Sequence, residues 1–333
     1  MNLKELSKVK NEVVERVDLM VVEKTVQLTK SGKEYLVCKG QDKTGEVMFR
    51  IWDPDDDINA VLTVGNIVSI TLNGKLYNNA ITFEMAKHTK PTLSNAPKSE
   101  FTRDFCNSHL EENKDYLRKK VLEIKQDENL RPVIDELFNK GFVKDDLQDK
   151  FFIWPAAETM HHAEKSGLLY HTTSIMKIAE GLIERSEGYG LQVNKNLVML
   201  SILLHDFFKT KEYEMEETSG KGLITKYALI GHIAMAQQFI GALYYKGSIN
   251  QETYIQLSHV VGSHHGKPEW GSATAPATIE AMIVHLSDYA DSRLYMFMDA
   301  ISKLDKGEYS ATKCFGLDNA RIYNPADLDT EEF

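Results

Sequence analysis

Cysteine is scarce in this sequence. Its three cysteines, Cys38, Cys106 and Cys314, lie far apart and form no C-x-x-C pair. This spacing argues against a zinc–thiolate site. So few cysteines are typical of a reducing compartment, and we expect free thiols in a cytoplasmic protein.

Long hydrophobic runs are also missing. No stretch reaches the roughly 18 apolar residues of a membrane-spanning helix, and the first six residues lack the apolar core of a secretory signal. Hydrophobic residues make up 42% of the chain and charged residues 26%, which are ordinary values for a globular protein. We therefore expect no association with a membrane.

An excess of positive charge is absent as well. The formal net charge is −10, which argues against broad electrostatic attraction to nucleic acid. Residues 1–95 carry 13 basic and 13 acidic residues, so the negative excess lies wholly beyond them. Carboxylates that bind metal would account for part of that excess, and net charge alone does not identify the ligand.

The first 90 residues have a β texture after a short helix. Helical spacing of Leu3, Leu6, Val9 and Val13 predicts an amphipathic helix within 1–16. Five strand-like runs follow within 17–90, with a short helix predicted between the third and the fourth, which is the element order of an OB-fold barrel. The runs are 17–28, 34–39, 46–52, 67–72 and 80–86, and the turn signals between them are Ser31-Gly32, Lys43-Thr44-Gly45, Asn73-Gly74 and Asn78-Asn79.

The rest of the chain reads as helical. A proline-bounded linker is predicted at 91–100, and charged amphipathic helices at 101–150 form a connector. Nine of the eleven histidines lie at or after position 161, within apolar helices of a predicted all-α domain at 151–315. A tail at 316–333 completes a multidomain chain, in which a small β-barrel precedes a helical bundle.

Imidazole and carboxylate groups recur on separate apolar helices of the second domain. Alone, each is most simply a buried, hydrogen-bonded side chain. Together they predict a metal site, because five helices would each direct a ligand inward. The candidate ligands are His171, His205, Asp206, His232, His264, His265 and Asp288.

The arrangement of these groups suggests two metals. Successive helix residues diverge by about 100°, so His205 can serve one metal while Asp206 reaches between two. Nitrogen and oxygen ligands suit manganese, and also iron, cobalt, nickel or zinc. Two such metals support hydrolysis of a phosphodiester. Asp206 and Lys209 are the candidate catalytic residues, Lys209 either holding the phosphate or being a solvated lysine at a helix end.

Aromatic and basic residues suggest contacts to a single strand. OB-folds hold single strands on aromatic platforms with modest positive charge, and Tyr35, Trp52, Lys75 and Tyr77 lie in the predicted barrel. Strand alternation places Phe49 on the opposite face from Trp52. In the second domain, His162 is expected at the mouth of the site. Trp270 stacks on a base or anchors its own loop.

Several segments together resemble the YhaM-type 3′-5′ exoribonucleases, a family with an OB-fold before an HD domain. The most specific is the loop around Trp270, and the full set comprises His161-His162-Ala163, Ser166–His171, Leu203–Asp206, Gly231-His232-Ile233, Ser263–Ser272, Gly307-Glu308-Tyr309 and Leu317-Asp318-Asn319. The resemblance implies a manganese-favouring exonuclease acting on single-stranded RNA, with DNA as a second candidate. It assigns metal to His171, His205, Asp206, His232, His264 and Asp288. Phe208 stands where the family usually has glycine.

Other functions fit part of this pattern. A phosphohydrolase of free nucleotides or cyclic dinucleotides would need no strand-binding barrel. A di-iron oxygenase can use the same ligands, and a nucleic-acid-binding adaptor could carry a relic metal site. The acidic helices of 101–150 have no evident catalytic task, which makes homo-oligomerisation plausible.

Overall fold

A computed structural model describes most of the chain as two compact units. The described residues are 2–7, 9, 13–77, 80–97, 100–101, 105–138, 150–158, 161–215 and 222–326. One unit comprises the described residues of 1–104, 301–309 and 323–326, and the other those of 105–300 and 310–322. Within these residues, no helix is long and apolar enough to cross a membrane.

The first unit is a closed barrel of five strands. They are β1 (Val13–Leu28), β2 (Glu34–Gln41), β3 (Glu46–Trp52), β4 (Ile67–Tyr77) and β5 (Ala80–Met85). The hydrogen-bonded order is β1-β2-β3-β5-β4, and β4 pairs with β1 to close the ring. The strand β1 serves two neighbours because it is long. Its first half pairs with β4 up to Met20, its second half pairs with β2, and the register shifts between Val21 and Glu23.

The predicted OB-type barrel is confirmed by this topology. A helix, α2 (Asp56–Val61), lies between β3 and β4, and Asp55 caps it by accepting a hydrogen bond from the amide of Ile58. The strands β3 and β5 are parallel, whereas the other barrel pairs are antiparallel. Alternate residues point inward, so Phe49 and Ile51 of β3 lie in the barrel core.

The prediction of a helix through residue 16 is wrong. The helix α1 is only Leu3–Ser7, and Val13 already begins β1, where it pairs with Gly74. The ladder between β1 and β4 satisfies backbone groups that a short isolated helix would leave to water. Leu3 and Leu6 are nevertheless fully buried, and they pack into the barrel core.

The predicted linker at 91–100 is partly structured. A short strand, β6 (Thr92–Leu93), pairs with Val68 and Ser69 of β4. Beyond it, Ala96 and Phe101 pack with Met20 and Ile67 in a small apolar cluster. The segment therefore adds a strand and a second core to the barrel unit.

The second unit is mainly helical. The helices are α3 (Phe105–Ser108), α4 (Leu110–Ile124), α5 (Arg131–Leu137), α6 (Gly167–Gly188), α7 (Lys195–His205), α8 (Lys209–Glu212), α9 (His232–Tyr245), α10 (Gln251–Ser263) and α11 (Ile279–Ser302). A hairpin of β7 (Tyr213–Met215) and β8 (Gly222–Ile224) follows α8. The core of this unit is formed where the apolar faces of the helices meet, and α7 is buried on all sides because its sequence is apolar almost throughout.

The unit boundaries differ from the predicted domains at both ends of the helical part. The described residues of the predicted connector from Phe105 onward belong to the helical unit. The chain leaves this unit after Ala300 and forms β9 (Glu308–Tyr309), which pairs with β10 (Tyr323–Asn324) in the barrel unit. Residues 310–322 return to the helical unit.

Candidate metal centre

Five helices bring the predicted ligands to one place. His171 lies in the first third of α6, His205 ends α7, and Asp206 follows it directly. His232 begins α9, His264 and His265 follow the last turn of α10, and Asp288 lies inside α11. Each ligand interrupts an apolar face, so packing these faces together brings the polar groups together in the interior.

One group of ligands contains His171, His205 and Asp288. Their ligand atoms all lie within 4.8 Å of one another. The Nε2 atom of His171 is 3.4 Å from Asp288 Oδ1 and 3.4 Å from Asp206 Oδ2. The Nε2 atom of His205 is 3.3 Å from the same Oδ2. One oxygen of Asp206 therefore belongs to this group.

A second group contains His232, His264 and His265. Their ligand atoms also lie within 4.8 Å of one another. The other oxygen of Asp206, Oδ1, is 3.3 Å from His232 Nε2. Asp206 thus presents one oxygen to each group, as a bridging carboxylate between two metals would.

The residues fit divalent metals because several of their inward atoms are not used in hydrogen bonds among the described residues. Five such atoms are buried without a hydrogen-bond partner among the described residues: His205 Nε2, Asp206 Oδ1, His232 Nε2, His264 Nε2 and His265 Nδ1. A buried polar atom without a partner is costly. Metal ligation would satisfy all five, and the nitrogen and oxygen donors suit a transition metal such as manganese.

Mutual interactions shift the protonation of this cluster. Burial alone would raise the pKa of Asp206, but Lys209 and His205 hold it well below its ordinary value. Burial would also raise the pKa of Asp288, but its hydrogen bond with His171 holds that pKa well below its ordinary value. Burial and the neighbouring His265 lower the pKa of His264 well below its ordinary value. Two carboxylates and one imidazole among the candidate ligands are thereby kept in the deprotonated forms that a metal would require.

His171 behaves differently from His264. Burial alone would lower the pKa of His171, but hydrogen bonds with Asp206, Asp288 and Asp291 raise it well above its ordinary value. Three carboxylates thus favour the charged form of this imidazole.

Lys209 lies against the carboxylate of Asp206. Its ammonium is 2.7 Å from Asp206 Oδ2 and is largely buried. Phe208 precedes it with φ −78° and ψ 0°, so the backbone here does not require glycine. The Phe208 ring is buried against Phe207 and Phe239, and this packing fixes the start of α8.

Two carboxylates at the centre were missed by sequence reasoning. Asp291 Oδ2 lies 2.7 Å from His171 Nδ1, and Glu212 Oε2 lies 2.6 Å from His232 Nδ1. Helical spacing was the available signal, because Asp291 follows Asp288 by three residues on α11.

The prediction that His162 lines the mouth of the site is wrong. Its side chain is fully buried, and its Nε2 lies 2.7 Å from Asp291 Oδ2. The ring packs 4.0 Å from that of Tyr295, between centroids. The carboxylate of Asp291 offers the ring a partner inside the protein, which turns it away from solvent. Its neighbour His161 lies 5.4 Å from His171, again between ring centroids.

The Trp270 loop lies beside the second group of ligands. Trp270 forms the end of a short 3-10 helix (Pro268–Trp270) and remains 42% exposed. Its ring stacks on Tyr289 of α11 at 5.8 Å, and the Lys267 ammonium lies 4.5 Å from its centroid. The ring is thus both anchored and accessible, with a cation beside it.

The barrel brings most of its predicted contact residues together. Tyr35 and Trp52 stack at 4.7 Å, and both Lys75 and the indole nitrogen of Trp52 bond to Glu84. Tyr77 is 66% exposed. Phe49 is buried in the core, as strand alternation predicts. Tyr35, Trp52 and Lys75 form the barrel face, a name used below for these three residues.

Comparison with known proteins identifies the family. An HD domain matches residues 168–293, the part that holds all seven predicted ligands. The 3′-5′ exoribonuclease YhaM of Oceanobacillus iheyensis is 31% identical over 92% of this chain and 92% of its own length. This chain belongs to the YhaM 3′-5′ exoribonuclease family.

Other YhaM proteins align over a similar span. The 3′-5′ exoribonuclease YhaM of Listeria monocytogenes is 32% identical over 94% of this chain and 96% of its own length. The corresponding protein of a Geobacillus strain is 29% identical over 94% and 93%. The similarity therefore includes the barrel as well as the HD domain, which confirms the resemblance expected from the sequence.

Proposed function

We propose that this protein is a metal-dependent 3′-5′ exoribonuclease that hydrolyses the terminal phosphodiester with two metals. The observation that carries the proposal is Asp206, whose two oxygens face two separate groups of buried histidines. Its YhaM relatives are exoribonucleases by name, and we propose that this chain also acts on RNA. Single-stranded DNA is a second candidate substrate.

The proposed metals are held by the seven ligands in two overlapping sets. His171, His205 and Asp288 would hold one, His232, His264 and His265 the other, and Asp206 both. Metals held by these residues would supply activation of water and stabilisation of the charge on the leaving oxygen. Manganese is the proposed ion, because imidazole and carboxylate donors together suit it.

The remaining residues of the centre position the substrate. We assign to Lys209 a contact with a phosphate oxygen, since its ammonium is buried beside Asp206 and carries the positive charge that a phosphate requires. Trp270 and Tyr289 offer partly exposed rings beside the centre, and Lys267 adds a cation. Aromatic rings stack on any base, so this region suits the end of a strand without selecting its sequence.

The barrel face is proposed to hold a single strand upstream of the cleaved end. Stacking on aromatic rings contributes about 1–3 kcal/mol per base, so Trp52→Ala should weaken binding of single-stranded RNA by roughly 5- to 150-fold. Fluorescence anisotropy with a labelled oligonucleotide would measure this. Met48→Ala is a matched control, because Met48 is an exposed, non-aromatic residue of the same strand. Equal effects of the two substitutions would contradict the assignment.

The activity itself is tested with a single-stranded RNA labelled at its 5′ end. In manganese, the full-length protein should produce a ladder that shortens from the 3′ end, and chelator should stop it. A cyclic dinucleotide and a free nucleotide serve as alternative substrates in the same buffer. Rapid hydrolysis of these with no shortening of RNA would overturn the proposal in favour of a small-molecule phosphohydrolase.

A further inference from the structure

Four of the five histidines in the two ligand groups, all but His265, have a hydrogen-bond partner at Nδ1, and these partners differ. For His205 and His264, Nδ1 bonds to a backbone carbonyl, Ile202 O at 2.6 Å and Val261 O at 2.7 Å. For His171 and His232, Nδ1 instead meets a carboxylate, Asp291 at 2.7 Å and Glu212 at 2.6 Å. Each group of ligands therefore contains one histidine backed by a negative charge.

Both carboxylates are held firmly in place. Asp291 is buried, and its Oδ2 also lies 2.7 Å from His162 Nε2. Oε2 of Glu212 accepts hydrogen bonds from His232 twice, from the backbone amide at 3.0 Å and from the ring. These bonds orient each ring through Nδ1, so that Nε2 faces the centre.

A carboxylate behind a ligating imidazole raises the basicity of the opposite nitrogen, and loss of such a partner typically costs about 10- to 100-fold in metal affinity. A backbone carbonyl orients the ring without adding a full negative charge. We propose that Asp291 and Glu212 are positioning residues that set the affinities of the two metals separately. Asp291 acts through His171 on the first metal, and Glu212 acts through His232 on the second. This inference rests on the two-metal centre of the proposed function.

Calorimetric titration of the chelator-treated, full-length protein with Mn²⁺ tests the proposal without any RNA. The native protein should show two binding sites. Asp291→Asn keeps the size of the side chain and removes its charge, and it should weaken one site by about 10- to 100-fold. Glu212→Gln should weaken the other site by a similar factor. Glu214→Gln is the matched control, because it removes the same charge from an exposed residue two positions away.

The pattern of losses decides the result. Site-specific loss in each single variant, and loss at both sites in the double variant, would support the proposal. Weakening of both sites by either single variant, or no change in either, would overturn it. If circular dichroism shows that Asp291→Asn does not fold, the test rests on Glu212→Gln, because Glu212 is less buried. This variant must then weaken one Mn²⁺ site and leave the other unchanged. Failure of the native protein to bind Mn²⁺ would instead contradict the proposed function.

Discussion

Asp206 is the residue on which the candidate site depends. A fully buried aspartate at the end of an apolar helix is costly unless its charge is compensated. Here Lys209, His171, His205 and His232 surround it. These contacts compensate its charge, yet Oδ1 still lacks a hydrogen-bond partner among the described residues. A buried carboxylate oxygen without a hydrogen-bond partner is a suitable ligand for a cation.

Phe208 allows a test of the aromatic packing behind the centre. Its ring is buried against Phe207 and Phe239, so Phe208→Ala should lower the free energy of unfolding by about 3–5 kcal/mol. Urea denaturation would measure it. Phe315→Ala is the control, because Phe315 is 82% exposed and its loss should cost less than about 0.5 kcal/mol. A similar small loss in both variants would contradict the packing described.

The charge of Asp291 should appear in the pH dependence of stability. Burial would raise its pKa, but hydrogen bonds with His162 and His171 hold the pKa well below its ordinary value of 3.8. A carboxyl whose pKa is lowered by folding stabilises the folded state at pH values above its ordinary pKa. This contribution is lost as the pH falls toward the folded-state pKa.

In chelator, Asp291→Asn should therefore be less stable than the native protein at pH 7, and the difference should shrink below about pH 4. Urea denaturation at several pH values would measure both proteins side by side. Comparison of the two proteins separates the effect of this carboxyl from those of Asp206 and Asp288. A difference that stays constant with pH would contradict the assigned charge.

The candidate ligands could be proposed from sequence, whereas the carboxylates that contact them could not. His205 and Asp206 break an apolar run, and that contrast is visible in one dimension. Glu212 lies on a short polar helix, where a carboxylate carries no sequence signal of a special role. Only the fold shows that it contacts Nδ1 of His232. The predicted position of His162 at the mouth of the site is wrong for a related reason, because sequence does not show which way a ring turns.

At the scale of elements, the connection between α10 and the Trp270 loop shapes the second ligand group. Gly266 has φ +83°, and a Cβ there would lie 2.2–2.6 Å from the His285 ring. His285 in turn bonds through Nδ1 to the carbonyl of His264 at 2.8 Å. Close packing at this glycine thus connects α11 to the end of α10, where two ligands lie.

Gly266→Ala should therefore destabilise the protein and weaken Mn²⁺ binding at the second site. A left-handed backbone costs a residue with a Cβ about 1–2 kcal/mol, and displacement of His285 adds to it. Gly247→Ala is the control, because Gly247 has φ +74° and a Cβ added there would meet nothing within 4 Å. Thermal unfolding and Mn²⁺ titration would measure both variants. Equal effects would show that backbone strain alone is responsible.

The elements of the barrel could be predicted to the extent that their side chains alternate. The bounds of β3 agree with its prediction, since Val47, Phe49 and Ile51 all point inward. The predicted turn at Asn73-Gly74 is wrong, because both residues lie inside β4. A Cβ on Gly74 would lie 2.9 Å from Phe83 and 3.2 Å from Val13, so here glycine permits close packing. The predicted turn at 78–79 lies outside the described residues.

At the scale of the whole molecule, charge and chemistry are divided along the chain. Residues 1–95 are electrically neutral, and the later residues carry the whole negative excess. In the helical unit, part of that excess is the set of carboxylates gathered at the centre, namely Asp206, Glu212, Asp288 and Asp291. Metal binding would reduce the excess where substrate phosphate must approach. The acidic net charge is therefore compatible with an RNA substrate.

In the proposed function, two metals shared through Asp206 would allow the protein to remove nucleotides from the 3′ end of RNA. The most direct measurement is the rate of 3′-end shortening as Mn²⁺ is added to the chelator-treated, full-length protein in known equivalents. Two-metal hydrolysis predicts a rate that rises steeply only as the second equivalent binds, and a loss of at least about 100-fold in Asp206→Asn. Full activity with one equivalent, or an unchanged ladder in Asp206→Asn, would contradict it.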